Sequence, residues 1–546
     1  MSRILHGICS KQLGPSALIA GFTRELALHS IINRHVRWDP DQWKRSPGLL
    51  VEAMMVNMLT SRTPLYRVET FFESMDTEAL FGPGVCTEDF NDDAIGRMLD
   101  RLHEVNLDHL YCSVVLAAWE KHQFDRSAFH GDTTRILLTG EYSGAMEDPL
   151  KITYGYNAQG IRGAKQFSVG AVVNREGIPI MGSIHDGNQS DNTWNTELLA
   201  HYPAMITALG QSDAVYIADS KLVTPKNLRK MRKKGIRFIS RFPNTYQLTK
   251  DLIVWAEKNA TWSEPVAWST RKGASIYRTQ EITARFMNHR YRFVIVRPSQ
   301  LDERQVKRLE KEAQAEKHQL EQACHALAKR TFACETDAQE ECRLFARKHR
   351  GRFYSVHLTV ASETKVLRKP GRPKAGVVYP TETVYRVDAA VSSRDVAAWE
   401  KACHQASSFV LITSLKQRKV HDAHEVLRLY KEQNAVEMRF RFLKNPTMFD
   451  GVFLKKPESI KALGYLFLLA LLIFSLLELR VRRAVAERNR PLHLRYRKNI
   501  EKPTGLLILD TLKTLTVIYI QETPGRWIRY LPDDVDSIRS ARISWI

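Results

Sequence analysis

No Cys-x-x-Cys pair occurs in the 546 residues, and the seven cysteines (Cys9, Cys86, Cys112, Cys324, Cys334, Cys342, Cys403) form an odd, scattered set. Neither a zinc ribbon nor a disulfide framework is supported by that usage, and a reducing cytoplasm is the expected setting. Met1 to Leu13 lacks a sustained apolar stretch and a small-residue cleavage site, which argues against a secretory signal. The only membrane-like run, Ala462 to Leu477, counts 16 residues between Lys461 and Glu478. A bilayer span needs ~20, so a buried core helix and no membrane partner are expected. No internal repeat is evident. Acidic residues are outnumbered: 60 Asp and Glu face 81 Lys and Arg, giving a formal charge of +21 and a pI near 9.6. That excess implies a polyanionic partner, nucleic acid first. With 44% hydrophobic residues, the chain has material for a large core and several domains.

Residues 1–125 read as an N-terminal domain, helical from about residue 20 onward. Ser46-Pro47 caps and opens a helix over Leu49 to Leu59, and Asn91-Asp92-Asp93 opens another whose Ile95, Met98, Leu99 and Leu102 share a face. A compact basic helical module is expected to bind DNA, although no helix-turn-helix stands out. Over 126–245 strands take over: Ala128 to Thr139, then Phe167 to Val173 and Ile178 to Ile184 as a hairpin across Asn174 to Gly177. Val215 to Ala218, a helix begun by Thr224-Pro225, and Phe238 to Arg241 follow, an order that predicts a mixed α/β sheet with helices packed on it. Residues 246–408 look like an insertion with strands of its own and a charged, solvated helical run from Leu301 to about Arg350. The core resumes over 409–480 with a buried strand, Phe409 to Thr413, and one long helix from Asp422 to Lys444. Residues 481–546 form a basic C-terminal region.

Asp132 lies in the strand Phe129-His-Gly-Asp-Thr-Thr134, where an ionised carboxylate is costly unless paired or metal-bound. Asp219 ends its own strand in Tyr216-Ile-Ala-Asp-Ser220. Alone, each fits a helix cap; two in one sheet point to chemistry. On the late helix, ~100° per residue brings Tyr430, Gln433, Glu437 and Lys444 within about 60° on one face. That face flanks an apolar stripe of Leu429, Val436, Phe440 and Leu443. Carboxylates gathered from two strands and a helix would bind hard divalent cations, Mg²⁺ or Mn²⁺ in its stead, leaving room for water and phosphate. Two such ions serve in-line displacement at phosphorus, one activating a water or 3′-hydroxyl and the other stabilising the leaving oxygen. Lys444 and the Tyr430 hydroxyl are suitably spaced to hold backbone phosphates.

In this order the motifs resemble those of bacterial insertion-sequence transposases of the Asp-Asp-Glu type. The branch is the one with a β-rich insertion before the catalytic helix and a Tyr-x2-Arg-x3-Glu-x6-Lys signature, which reads here as Tyr430, Gln433, Glu437 and Lys444. Ser46 to Leu102, Gly131 to Thr134, Tyr154-Gly-Tyr156 with Lys165-Gln166, His185 to Asp191, Ile217 to Ser220 and Val436 to Pro446 carry the resemblance over nearly the whole chain. It implies a ribonuclease-H-like mixed-sheet core with a β-rich and helical insertion, plus an α-helical N-terminal domain. It also implies metal-dependent cut-and-paste transposition. A homodimer binds terminal inverted repeats of double-stranded DNA, cleaves the ends through a hairpin and joins the 3′ ends to target DNA, in a bacterial cytoplasm at the nucleoid. Asp132, Asp219 and Glu437 carry over as catalytic Mg²⁺ ligands, and Tyr430, Gln433 and Lys444 as DNA-binding residues. Gln433 stands where the family has Arg, and Tyr154-Gly-Tyr-Asn-Ala158 stands where Ser-Lys-Asp is usual.

The residues also admit a metal-dependent nuclease without strand transfer, or a decayed or domesticated DNA-binding protein, against which the intact carboxylates argue. A carboxylate-pair glycosidase is disfavoured by the third acid and the charge. His185, Asp186 and Asp191 are expected in a hydrogen-bonded loop. Trp262 and Trp268 are expected to pack, with stacking on an unpaired base as the alternative. His421 and His424, one turn apart, lack a third zinc ligand. Lys369 to Lys374 reads as a surface turn or as a basic Gly/Pro segment of the kind that lies in AT-rich minor grooves. Arg480 to Lys498 gathers eight cations and is the better DNA-contact candidate.

Overall fold

The computed structural model describes residues 7–61, 63–138, 142, 149–155, 163–211, 213–259, 261–267, 275–367, 378–417, 420–433, 439–440, 454, 456–494, 497–523 and 526–530. It divides into two units, one of Met1–Arg241, Thr413–Lys416 and Arg428–Ile546, the other of Phe242–Ile412 and Gln417–Leu427. The first unit opens with a strand, β1 (Gly7–Gln12), ahead of the expected helices. Helices α1 (Ser16–Glu25), α2 (Leu28–His35), α3 (Pro47–Thr60), α4 (Val68–Glu73), α5 (Thr77–Phe81), α6 (Asp92–His103) and α7 (Leu107–His122) follow. Their starts are set by side chains. Ser46 accepts from the Leu49 amide at 3.3 Å, Asn91 from Ala94 at 2.9 Å and Asn106 from His109 at 3.0 Å. Each cap satisfies an otherwise orphaned first-turn donor and stabilises its helix by about 1 kcal/mol. Helix α6 buries Ile95, Met98, Leu99 and Leu102, one stripe of a 3.6-residue period. Helix α3 is apolar all round and is buried from Pro47 to Leu59.

The sheet of this unit comprises β2 (Ala128–Leu138), β3 (Thr153–Tyr154), β4 (Lys165–Asn174), β5 (Pro179–His185), β6 (Val215–Ala218) and β7 (Arg237–Arg241), with α8 (Asp191–Ala208) and α9 (Pro225–Lys233) between its later strands. The strand order is β3-β4-β2-β6-β7, with β5 also paired to β4. Strands β2, β4 and β5 run antiparallel in turn, while β2, β6 and β7 are parallel. This is the mixed α/β arrangement that alternating strands and helices predict. The hairpin turn between β4 and β5 is held by Asn174, whose Oδ1 accepts from Glu176 and Ile178 amides at 3.0 and 2.8 Å. Gly177 closes that turn at φ +82°, a conformation that side-chain-bearing residues rarely adopt.

In the second unit, α10 (Gln247–Asn259) precedes the hairpin β8 (Tyr277–Phe286) and β9 (His289–Pro298). Its turn residues Met287 and Asn288 both have positive φ. Helix α11 (Glu303–Ala328), strand β10 (Thr331–Phe332) and helix α12 (Glu335–Lys348) account for the charged run, whose sequence fits either one helix or a helical hairpin and which forms two helices. Strands β11 (Val356–Val366) and β12 (Thr381–Val391), helix α13 (Val396–Ser407) and strand β13 (Phe409–Thr413) complete the unit. Each charged helix keeps one buried stripe. Leu309, Ala313 and Leu320 of α11 pack with Phe353, Ala402 and Cys403, and Leu327, Ala338 and Phe345 pack with Val387 of β12.

Helix α14 (Ala423–Lys431) ends well short of the expected Lys444. The Gln433 amide bonds back only three residues, to Tyr430 O at 3.2 Å, which tightens the chain into a turn. Residues 434–438 and 441–453, with Glu437 and Lys444 among them, lie outside the described residues. Helix α15 (Pro457–Glu487) is long and apolar enough to cross a membrane, but 94% of its most apolar window is buried inside the protein. It lies on β5, with Leu468 against Gly182 and Gly464 against Ile184. Strands β14 (Leu492–Leu494) and β15 (Arg497–Ile500) pair with each other. After α16 (Gly505–Leu512), β16 (Thr516–Thr523) pairs antiparallel with both β1 and β17 (Arg526–Tyr530). Gly7 faces Gln521 in that pairing, so β1 is held by residues distant in sequence.

Candidate functional site

Parallel strands β2 and β6 are in register from Ala128 opposite Val215 to Gly131 opposite Ala218. The next residue on each strand is a carboxylate, Asp132 and Asp219. Neighbouring strands lie about 4.8 Å apart, so continuing this register sets the two side by side at the end of the pairing. Alternation puts them on one face with His130 and Ile217. Residues Phe129, Gly131, Thr133 and Tyr216 take the other face, against α8, where the Tyr216 hydroxyl donates to Asn195 Oδ1 at 3.0 Å. Gly131 is required there, because a Cβ at this position would collide with the Tyr216 ring and hydroxyl. Ala171 pairs with Asp132 and Gly182 with Ala171, so α15, packed on Gly182 through Leu468, covers part of the carboxylate face.

Asp132 Oδ1 accepts from the Thr133 amide at 2.8 Å, and Asp219 Oδ1 from the Lys221 amide at 3.0 Å. The Asp219 carbonyl is fixed by the Ser240 hydroxyl of β7 at 2.7 Å. Burial pushes the Asp219 carboxyl up against the pull of the Lys221 amide and ammonium, and the Asp191 charge adds to the rise. A buried carboxylate in this state suits a hard divalent cation, which ligates through oxygen and offsets the cost of burying the charge. Among the described residues no group of three or more His, Cys, Asp or Glu could hold a metal. Beside the pair, His130 is fully buried with neither ring nitrogen hydrogen-bonded, and burial, then the Arg175 charge, push it down to about 3.

Asp191, expected in a loop, begins α8 and ties the two strand ends together. Its Oδ1 accepts from the Thr133 hydroxyl at 2.5 Å and from Arg135 at 3.1 Å, and its Oδ2 from the Lys221 ammonium. Burial pushes this carboxyl up, but Lys221, Thr133 and Arg135 together hold it below its ordinary value. Thr133 follows Asp132 and Lys221 lies two residues past Asp219, so one carboxylate braces both candidate ligands. The sequence reading missed Thr133, Arg135 and Lys221. The signal available was a basic residue beside each strand-end Asp.

Of the late-helix residues, Tyr430 is half-buried in the last turn of α14, and Gln433 follows in the turn. Between them Glu432 takes Arg175 of the hairpin turn in a two-pronged pair at 2.7 and 2.9 Å and Arg428 at 2.6 Å. Arg439, two residues past Glu437 in sequence, is buried. It donates to Gly177 O at 2.9 Å and pairs with Glu478 of α15 at 2.7 Å, while Glu478 also takes Arg482 at 2.8 Å and the Gly505 amide at 2.8 Å. The chain on either side of residues 434–438 is thus anchored to one hairpin turn.

His185 bonds Ser183 Oγ at 2.5 Å and lies 3.6 Å from Glu197, and Asp186 Oδ1 accepts from the Lys151 amide at 2.8 Å, which gives both a structural role. Arg297 sits over the half-buried Trp262 ring at 5.8 Å. His421 offers its carbonyl to Arg292, and no third ligand joins it and His424 among the described residues. Arg480, Arg482 and Arg483 are engaged by Glu25, Glu478 and Glu176, so the first part of the expected DNA-contact segment is internal. Trp268, Lys369 to Lys374 and Arg495 lie outside the described residues.

Residues 132–473 match the family described as "Transposase DDE domain", and residues 8–116 match a "Domain of unknown function (DUF4277)". No curated protein matches the chain. Among solved structures it is similar to a piggyBac transposase synaptic complex with hairpin DNA. The identity is 8% and the TM-score 0.36, over 92% of this chain and 82% of that one. It is also similar to a Mos1 transposase paired-end complex with left transposon end, with 12% identity, 37% and 66% coverage and a TM-score of 0.16.

Proposed function

The chain belongs to the transposase DDE domain family, and from that premise we propose that it is a DNA transposase moving an insertion sequence by cut-and-paste, on a ribonuclease-H-like core. In this reading Asp132 and Asp219 hold divalent metal from the ends of adjacent parallel strands, and Glu437 completes the set. A bound Mg²⁺ or Mn²⁺ supplies the charge for in-line displacement at phosphorus. The remaining work belongs to the side chains. Asp191 fixes the separation of the two strand ends through Thr133 and Lys221. Tyr430 and Lys444 hold phosphates of the element's terminal repeats. Gln433, in place of an arginine, offers an amide without charge, so its grip on a phosphate is weaker. The proposal includes a homodimer on DNA, passage through a hairpin and a cytoplasmic setting.

The observation that carries it is the family match that begins at Asp132, and the reading is supported by the strand register whose last pair, Gly131 opposite Ala218, comes just before Asp132 and Asp219. The test uses Asp132→Ala, Asp219→Ala and Glu437→Ala in a Mg²⁺-dependent cleavage assay on a duplex bearing the element's ends. Each variant is expected to lose cleavage while still binding that duplex. A variant of any of the three that cuts at the normal rate overturns the assignment.

A further inference from the structure

Residues 220–241 carry nine Lys and Arg and no Asp or Glu, directly after Asp219. Their centre is α9, whose Asn227, Leu228 and Met231 are buried. Lys226, Arg229 and Lys233 lie at i, i+3 and i+7, on the side opposite that stripe, and all are exposed, as is Arg232. None of these four forms an ion pair among the described residues, although acids elsewhere in the unit are taken up by Arg135, Arg175 and Lys221. The other cations of the helix are committed to α8: Lys230 donates to Thr196 O, and Lys234 to Ala200 O at 2.8 Å. Desolvation, then the charges of Lys234 and Lys226, push the Lys230 ammonium down, as expected for a crowded positive surface.

We infer that this face of α9 is a binding surface for the phosphate backbone of target DNA, continuous in sequence with the strand end that carries Asp219. The assignment rests on the transposase reading. Lys226 to Lys233 spans about 10 Å of helix at ~1.5 Å per residue, which matches about three charges of one DNA strand at ~3.4 Å of duplex axis per charge. The face offers cations without amides or hydroxyls. Its one amide, Asn227, is buried and accepts from the Thr196 hydroxyl at 2.7 Å. Cations that meet phosphates position a duplex without reading it, and target DNA, unlike the element's repeats, has no fixed sequence to be read. Because the three side chains are exposed and unpaired, replacing them leaves the fold intact.

The experiment compares the full chain with a K226Q/R229Q/K233Q variant. Affinity is measured against salt for two duplexes, one of random sequence and one bearing the element's ends. On random duplex the variant's plot of log affinity against log salt should become shallower by about 2 to 3, roughly 0.9 for each phosphate that the variant no longer neutralises. On the end-bearing duplex the slope should change by less than the ~0.9 of a single phosphate, and end cleavage should persist while joining to a target duplex falls. An unchanged slope on random duplex overturns the inference, and an equal change on both duplexes overturns the assignment to target DNA. If the unsubstituted chain fails to cleave ends, the transposase reading fails, while the random-duplex slope still decides whether this face binds backbone phosphates.

Discussion

Arg439 is the residue whose removal has the most calculable consequence. The residue is 4% exposed, and its guanidinium joins Gly177 O, in the hairpin turn beside the sheet, to Glu478 of α15. Arg439→Met keeps most of the volume and removes the charge. Breaking one side of a buried pair destabilises by about 3–5 kcal/mol. Glu478 keeps Arg482 and the Gly505 amide, both at 2.8 Å, so its carboxylate is not stranded and the loss should sit near the lower end, about 3 kcal/mol. A chain of two units does not unfold in one step, so the suitable assay is local: hydrogen exchange at the Gly177 and Ile178 amides, which bond Asn174 O and Oδ1 at 2.9 and 2.8 Å. Their exchange should quicken by about 100-fold, the equivalent of ~3 kcal/mol. A change below about fivefold would refute the reasoning.

Two further predictions concern the sheet around the carboxylates. Gly131→Ala should destabilise by about 1–3 kcal/mol, because the new methyl meets the Tyr216 hydroxyl in a packed interior, and Tyr216→Phe in the same background should recover part of it in thermal melting. His130 is neutral in the folded chain, with its ring pushed down to about 3, whereas in the unfolded chain it binds a proton near ~6.5. Its stabilising contribution is therefore complete above ~6.5 and is lost as pH falls from there toward 3, at up to ~1.4 kcal/mol per pH unit. His130→Leu should shrink the stability lost between pH 7 and 5 by about 2 kcal/mol in urea titrations without added metal, and identical losses in both proteins would contradict this.

Local chemistry was legible in the sequence, and long-range pairing was not. The caps at Ser46, Asn91 and Thr224 and the hairpin across Asn174 to Gly177 depend on neighbours within four residues, and each formed as its side chains require. The pairing of β2 with β6 was not legible, because Asp132 lies inside β2 and Asp219 just past β6, and nothing local aligns residue 132 with 219. Strand β1 has no local partner. Its partners are residues 516–521, so nothing in the neighbouring sequence marks it as a strand. Arg439 was hidden because it falls among Val436, Phe440 and Leu443, where the apolar stripe draws attention away from a buried charge. Asp191 was read as a loop residue since its partners, Thr133, Arg135 and Lys221, are 30 to 58 positions away.

The central claim is that this chain cuts and joins DNA through Asp132, Asp219 and Glu437. The most direct measurement incubates a fragment carrying the element's ends with a target duplex and Mg²⁺, and scores excised and joined products for the unmodified chain and for Glu437→Ala. Excision and joining by the first and neither by the second are expected. Cleavage without joining by the unmodified chain would instead indicate a nuclease, and binding without cleavage would indicate a DNA-binding protein that no longer cuts; either result would contradict the claim.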